Sequence, residues 1–259
     1  MESRKYDKVG NRLSCKIDDA NAHCYTYDQL YQLIYVDYND CNSTSYSYDA
    51  LGNRTEVNES GAVDVYDSNC LNQYTAVGPQ GSQTDYHYDK NGNLIDDGTY
   101  EYYYDCENRL TDVNENGSPV ATYKYDFAGR RVSKTVDGNT TKYCYDGDQV
   151  IAEYDGDVLV RKFVYGPGID EPVCMVTSTG TYYYHFDGLG SIIALSDVNS
   201  EIVETYSYDV FGEPNRTSDV NNPYLFTGRR YDPETALYYY RARYYAPDIG
   251  RFLQTDPAL

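Results

Sequence analysis

The feature that most constrains this chain is a repeated unit, clearest between Tyr123 and Asp146. It begins Tyr123-Lys124-Tyr125-Asp126-Phe127-Ala128-Gly129-Arg130 and runs on through Val132 to Val136. A second turn at Asp137-Gly138-Asn139 leads through Thr140-Thr141-Lys142 to Tyr143-Cys144-Tyr145-Asp146, where the pattern restarts. Tyr-x-Tyr is a period of two, so both rings leave the same face of a strand. Asp-x-x-Gly fits a type I turn, with Asp first and Gly fourth. Asp-Gly is a strong two-residue hairpin signal, and its register keeps Val132 on the face of Tyr143 and Tyr145. The unit is a β-hairpin with an aromatic side.

Tyr-x-Tyr-Asp recurs at Tyr25, Tyr46, Tyr86, Tyr102, Tyr123, Tyr143 and Tyr206, with Tyr184-His185-Phe186-Asp187 a close variant. The first six starts lie 21, 40, 16, 21 and 20 residues apart, and Tyr66-Asp67 breaks the long gap. A period near 20 means one hairpin per repeat and a stacked architecture. The middle residues (Thr26, Ser47, His87, Tyr103, Lys124, Cys144, Ser207) are mostly small or polar, which predicts a wetter opposite face. Gly10, Gly52, Gly92 and Gly129 sit at the same turn offset, where Tyr31 and Asn108 replace glycine. At about 4.8 Å per strand, some two dozen strands make a sheet on the order of 100 Å wide, which must curl. The expected fold class is all-β: repetitive antiparallel hairpins in a coiled, spiralling ribbon with exposed edges.

Composition agrees. The chain of 259 residues has 34 Tyr, no Trp, 2 Met and 6 Phe, so stacked tyrosines replace a thick aliphatic core. Regular alternation with turn chemistry excludes disorder despite a net charge of −20. That charge argues against nucleic acid and anionic membranes as partners, and is compatible with a cationic cargo. Met1-Glu2-Ser3-Arg4-Lys5 is no signal peptide, and no apolar run is long enough to span a membrane. The first residues already lie inside a repeat, so the chain reads as a fragment. Its seven cysteines (Cys15, Cys24, Cys41, Cys70, Cys106, Cys144, Cys174) form no Cys-x-x-Cys or zinc spacing. A hairpin turning near Asp19-Ala20 would permit a Cys15–Cys24 disulfide; reduced strand residues are the plainer reading.

From Tyr145 to Gly180 the pattern loosens, with Gly166-Pro167-Gly168 and Glu171-Pro172 as punctuation. A new block follows: Tyr182-Tyr183-Tyr184-His185-Phe186-Asp187-Gly188-Leu189-Gly190-Ser191, then Tyr206-Ser207-Tyr208-Asp209-Val210-Phe211-Gly212-Glu213. The last block is Tyr224-Leu225-Phe226-Thr227-Gly228-Arg229-Arg230-Tyr231-Asp232-Pro233-Glu234-Thr235, continuing through Leu237-Tyr238-Tyr239-Tyr240-Arg241-Ala242-Arg243-Tyr244-Tyr245 to Gly250-Arg251-Phe252-Leu253-Gln254-Thr255-Asp256-Pro257.

Over essentially its whole length the chain resembles the YD-repeat proteins of the RHS and teneurin type, and its end resembles the RHS repeat-associated core. The resemblance implies YD repeats over residues 1–180 and the core over 181–259. It implies a β shell enclosing a polymorphic C-terminal toxin, plugged by the core motif and in many members opened by an aspartyl autoprotease. It also implies a secreted or cell-surface protein. Ala236 stands where the family often has Gly, and Gly188 where it often has His. The chain ends two residues beyond Asp256-Pro257, without the second Asp-Pro motif of self-cleaving members.

Paired carboxylates need a partner converging on the same bond, and by resemblance Asp256 is one half of such a pair whose other half lies beyond this sequence. Asp232 reads as a turn residue before Pro233. Asp89-Lys90-Asn91-Gly92-Asn93 resembles the start of a calcium loop, but Leu94 stands where glycine is needed and Tyr100 where the bidentate Glu belongs, so a turn is expected. His23, His87 and His185 are scattered and read as structural. Arg241 and Arg243 flank Ala242, and alternation puts both on one face, set against tyrosine rings and nearby Asp rather than binding an anion. Sequons at Asn42, Asn53, Asn58, Asn116, Asn139 and Asn215 are expected by chance in a chain rich in Asn and Thr.

The sequence therefore predicts a non-enzymatic shell segment with no catalytic, cofactor or metal site and no cofactor. Its partners would be an enclosed effector polypeptide or the rest of a larger shell, with no nucleic acid and no membrane insertion. The alternative is an adhesive or carbohydrate-binding module that uses exposed tyrosines as stacking platforms. Tyrosines that bury each other favour the shell; several solvent-facing tyrosines lining a groove favour the sugar.

Overall fold

The computed structural model describes residues 3–16, 22–38 and 41–257, and nearly all its regular structure is antiparallel strand. Two compact units divide between His87 and Tyr88. In the first, nine strands from Ser3–Tyr6 to Thr84–Asp85 each pair with the next in sequence. In the second, thirteen strands from His87–Tyr88 to Ile202–Thr205 do the same. A separate sheet of four follows: Arg230–Asp232, Leu237–Tyr240, Arg243–Ala246 and Arg251–Phe252. The all-β hairpin array expected from the repeat is the fold, and its sheets are open rather than closed into a barrel. The strand pair Pro172–Thr177 and Thr181–Phe186 straddles position 180, with Cys174 opposite Tyr183, so the sheet continues there without a break.

Local chemistry builds each hairpin in the same way. The two-residue turn has Asp137 and Gly138 both at left-handed φ, 50° and 79°, between Val136 and its partner Asn139. That is the conformation Asp-Gly adopts most readily. In the longer turn, Asp126 Oδ1 accepts the amides of Ala128 and Arg130, each at 2.9 Å. The Gly129 amide bonds the Asp126 carbonyl at 3.0 Å, with Gly129 at φ 78°. Tyr31 and Asn108 adopt the same left-handed backbone at φ 63° and 59°, so the turn keeps its geometry without glycine.

A register shift falls between the middle residue and the second Tyr: Ser47/Tyr48, Tyr103/Tyr104, Lys124/Tyr125 and Cys144/Tyr145. The shift lets the second hydroxyl reach a carbonyl at the start of the preceding strand. Tyr48 donates to Leu33, Tyr125 to Leu110, Tyr145 to Arg131 and Tyr165 to Val150, at 2.8, 2.6, 2.8 and 2.8 Å. A buried phenol needs such an acceptor, and here the backbone of the sheet supplies it. All seven middle residues are exposed, as the wetter-face reading expects.

Cys15 opposes His23 and Cys24 opposes Ser14, with Cys15 buried and Cys24 exposed. The two thiols leave opposite faces of the sheet and cannot bridge. The turn expected near Asp19-Ala20 lies outside the described residues.

Between the large sheet and the last one, Gly228 packs against the backbone of Asp170. Its φ is 67°, and a Cβ there would overlap the Asp170 carbonyl oxygen. Gly129 has a similar φ of 78° with open space around it. Gly129→Ala is expected to cost about 1 kcal/mol from left-handed strain alone, and Gly228→Ala roughly 3 kcal/mol because displaced backbone is added. Urea midpoints of the two variants measure the difference; equal costs would mean that the Asp170 loop yields freely.

Candidate functional site: an ion-paired seam and an arginine-rimmed cavity

The four-stranded sheet of the second unit rests on the tyrosine face of the thirteen-stranded one, and buried charges line the contact. Asp232 ends the strand Arg230–Asp232 and is 2% exposed. It accepts from both terminal nitrogens of Arg131, with Nη2 at 3.1 Å, and from Lys134 Nζ at 2.9 Å. Lys134 also reaches Glu234 at 2.8 Å. One residue pair further, Arg230 bonds Glu153, which is 1% exposed and also meets Arg161 at 2.8 Å.

Tyrosines complete the seam. Arg131 lies 4.4 Å from the Tyr239 ring centroid, 5.1 Å from Tyr123 and 5.3 Å from Tyr143. Tyr239 accepts nothing from that guanidinium; its hydroxyl takes the Arg131 amide proton at 3.0 Å. Tyr125 and Tyr244 share a hydrogen bond of 3.0 Å, and Phe163 meets Tyr224 edge-on at 5.1 Å. Guanidinium against aromatic faces, with a carboxylate closing its far edge, satisfies a charge that would otherwise be costly to bury.

The electrostatics follow from the pairing. Burial pushes the Asp232 carboxyl up, but Arg131 and Lys134 outweigh it and hold the group at about 2. Burial also opposes the charge on Glu153, and Arg230 and Arg161 outweigh it to keep that carboxyl low. Glu234 goes the other way: burial first, and then Asp232, push it up.

Residues singled out by the sequence fall in several places. Asp232 opens the turn before Pro233 as expected, its carbonyl accepting the Thr235 amide at 3.2 Å, and its side chain, which the sequence reading left without a role, is the buried acceptor at the centre of the seam. Arg241 and Arg243 each meet an Asp, but alternation does not relate them. Tyr240 pairs with Arg243, so Arg241 sits in the turn at φ 61° and binds Asp170 at 2.9 Å. Arg243 instead lies 3.7 Å from the Phe252 ring and 3.0 Å from Asp256. The segment from Asp89 is a turn whose Oδ1 accepts the amides of Asn91 and Asn93 at 2.8 and 2.9 Å. His185 Nε2 pairs with Ser196 at 2.9 Å, His23 stands edge-on to Tyr38 at 5.0 Å, and His87 is exposed. Among the described residues, no group of three His, Cys, Asp or Glu is placed to hold a metal ion.

The seam residues Arg131, Lys134, Glu153, Arg161 and Arg230 had no place in the sequence reading. A signal for two of them existed: Gly-Arg-Arg occurs at both Gly129 and Gly228. In each copy the first Arg goes to a nearby carboxylate, Asp126 for Arg130 and Asp170 for Arg229, while the second is buried.

Beside the seam is a cavity of about 400 Å³, lined among others by Phe127, Arg130, Tyr145, Tyr165, Arg229 and Arg241. Each of its five arginines (Arg109, Arg130, Arg229, Arg230, Arg241) is already ion paired. The tyrosines lining it are buried or half-buried, and the exposed ones (Tyr6, Tyr31, Tyr35, Tyr103, Tyr183) do not line it. The sugar-stacking alternative therefore finds no groove here.

This seamed array of YD hairpins is a toxin-associated shell fold, and the chain belongs to the teneurin YD-shell family, whose model matches residues 3–259. It is similar to the tRNA3(Ser)-specific nuclease WapA of Bacillus spizizenii, 41% identical over 244 residues, covering 89% of this chain and 10% of that protein. It is similar as well to the tRNA nuclease WapA of Bacillus subtilis, 39% identical over 244 residues with the same 89% and 10% coverage. The crystal structure of TcdB2-TccC3 shares the fold at a TM-score of 0.50 and 17% identity, over 99% of this chain and 18% of that one. The chain thus spans about a tenth of the length of the curated relatives it matches.

The resemblance to RHS and teneurin-type YD-repeat proteins is confirmed. The expectation of a non-enzyme is corrected: relatives at 41% and 39% identity are nucleases by name. The exclusion of nucleic acid loses its support with it, since those relatives are named for tRNA. A net charge of −20 describes these 259 residues and does not bear on what relatives about ten times longer act on.

Proposed function

We propose that this chain is the sealing segment of a YD shell in a nuclease-type toxin. Residues 1–180 form wall, and residues 181–259 act as the associated core that closes it over an effector polypeptide. The observation that carries this reading is the buried seam: Arg131 and Lys134 on the wall hold Asp232 of the last sheet, and Glu153 holds Arg230. Buried ion pairs specify one arrangement of the two sheets and release it only at a high cost. Sequestration of the effector until delivery outside the producing cell, at the surface or in the medium, is part of the same reading.

The test uses the intact protein that carries this chain. Its cleavage of tRNA is expected to be about tenfold or more slower than after the seam is opened by Asp232→Ala or by sub-denaturing urea. Equal rates before and after opening would remove sequestration. Cleavage of tRNA by the 259 residues alone would place the nuclease chemistry on them and replace the shell reading.

A further inference from the structure

Four successive turns of the first unit carry an aliphatic residue at the same place. Val9, Leu30, Leu51 and Leu71 stand two residues after Asp7, Asp28, Asp49 and Asn69, and are 61%, 72%, 71% and 71% exposed. The turn itself presents them. In each, the residue's amide is held by the side-chain oxygen of the first turn residue at 2.9, 2.8, 2.8 and 2.8 Å. Neighbouring turns are stacked: Asn53 donates to Asn72 at 3.2 Å, and Gln32 Nε2 lies 3.1 Å from where a Cβ on Gly52 would be. Successive turns are two strands apart, so the row repeats about every 10 Å.

Three of these turns open on an aspartate, Asp7, Asp28 and Asp49, whose carboxylates hold the turn amides, and of the residues flanking the aliphatics only Lys8 is charged. Flanking the aliphatics are Lys8 and Gly10, Gln29 and Tyr31, Ala50 and Gly52, Cys70 and Asn72. The next three turns in sequence carry Asn91, Glu107 and Ala128 at this position, and Leu189 returns at it in the turn from Asp187, so the first unit differs in setting four such residues in succession.

We propose that this row docks against a second row of the same turns, supplied in solution by a second copy of this chain. Spacing argues for that occupant. Two rows with one repeat can interdigitate, each aliphatic seating between two facing tips, in the self-complementary manner of a two-fold contact. At these exposures each aliphatic offers roughly 60–80 Å² and Tyr31 roughly 100 Å². Both copies together bury about 800 Å² from side chains alone, and the flanking turn backbone brings this near the lower bound of about 1,000 Å² for specific contacts. The dimer is therefore weak, and salt strengthens it by screening the repulsion between two chains of net charge −20.

Sedimentation equilibrium of the purified chain, at low and raised salt, tests this. A monomer–dimer equilibrium that tightens with salt is expected. Leu30→Asp with Leu51→Asp weakens it by about tenfold or more, with circular dichroism unchanged at these exposed sites; Leu30→Asn with Leu51→Asn is the milder pair should the first not fold. Val158→Asp, at an exposed site in the other unit, leaves it unaltered. A monomer at every concentration and salt would overturn the proposal, as would a dimer that survives both double variants. Flotation of the wild-type chain, but not the variant, with phosphatidylcholine vesicles in the absence of dimer would reassign the row to a lipid surface.

Discussion

Asp232→Ala is expected to destabilise the second unit by about 3–5 kcal/mol, the range for breaking a buried ion pair from one side. The substitution leaves Arg131, 1% exposed, and Lys134, half-buried, facing each other with their shared carboxylate gone. Glu234 cannot replace it, since it meets Lys134 but not Arg131. The companion variant Arg131→Met with Asp232→Leu removes both charges and is expected to recover part of the loss, because apolar groups of similar volume are tolerated where one unpaired charge is not. Recovery stays incomplete: the guanidinium also stands over Tyr239, Tyr123 and Tyr143, and methionine reproduces those contacts only in part. Urea unfolding of the three proteins, followed by circular dichroism, gives the numbers. A loss under about 1 kcal/mol for Asp232→Ala would mean that water reaches the pair and that the seam is only a surface contact.

What the sequence made legible was what is local. Turn chemistry needs residues no more than four apart, so Asp126 with Gly129 and Asp137 with Gly138 declared both hairpin turns, and tyrosine alternation declared the buried face. The ordered C-terminal blocks declared the family. The seam joins residues far apart, with Arg131 and Asp232 separated by 101 positions, and no period connects them. Its register is hidden too. Tyr125 pairs with Arg131 only after a shift between Lys124 and Tyr125, and simple alternation does not anticipate that arginine on the tyrosine side. Arg241 and Arg243 show the same weakness, since strand alternation does not hold across Arg241 and Ala242, which form the turn. The non-enzyme expectation failed for a different reason: it rested on a missing motif, while relatives at 41% and 39% identity are nucleases by name.

Alkali should unfold the second unit sharply between about pH 11 and 12, an effect as large as the whole stability of an ordinary domain. Tyr102, Tyr123, Tyr184 and Tyr244 are 3%, 3%, 6% and 1% exposed. Burial, foremost, pushes each phenol well above its usual 10.0, with nearby acidic groups adding to it. The sign follows from linkage: a phenol whose folded pKa exceeds its unfolded value contributes fully below pH 10, and that contribution is lost as pH rises toward the folded value. Each such group costs about 1.4 kcal/mol per pH unit above 10. Four of them together cost about 6 kcal/mol per pH unit above 10 for as long as they stay protonated, without any contribution from the partly buried tyrosines. The check is to follow tyrosinate absorbance and far-ultraviolet circular dichroism through one titration. Ionisation of the buried set is expected to coincide with loss of the sheet signal, because these rings cannot carry charge where they sit. Smooth ionisation of all tyrosines with the sheet intact would show that water already reaches the tyrosine face, and a seam so wetted could not hold two sheets together.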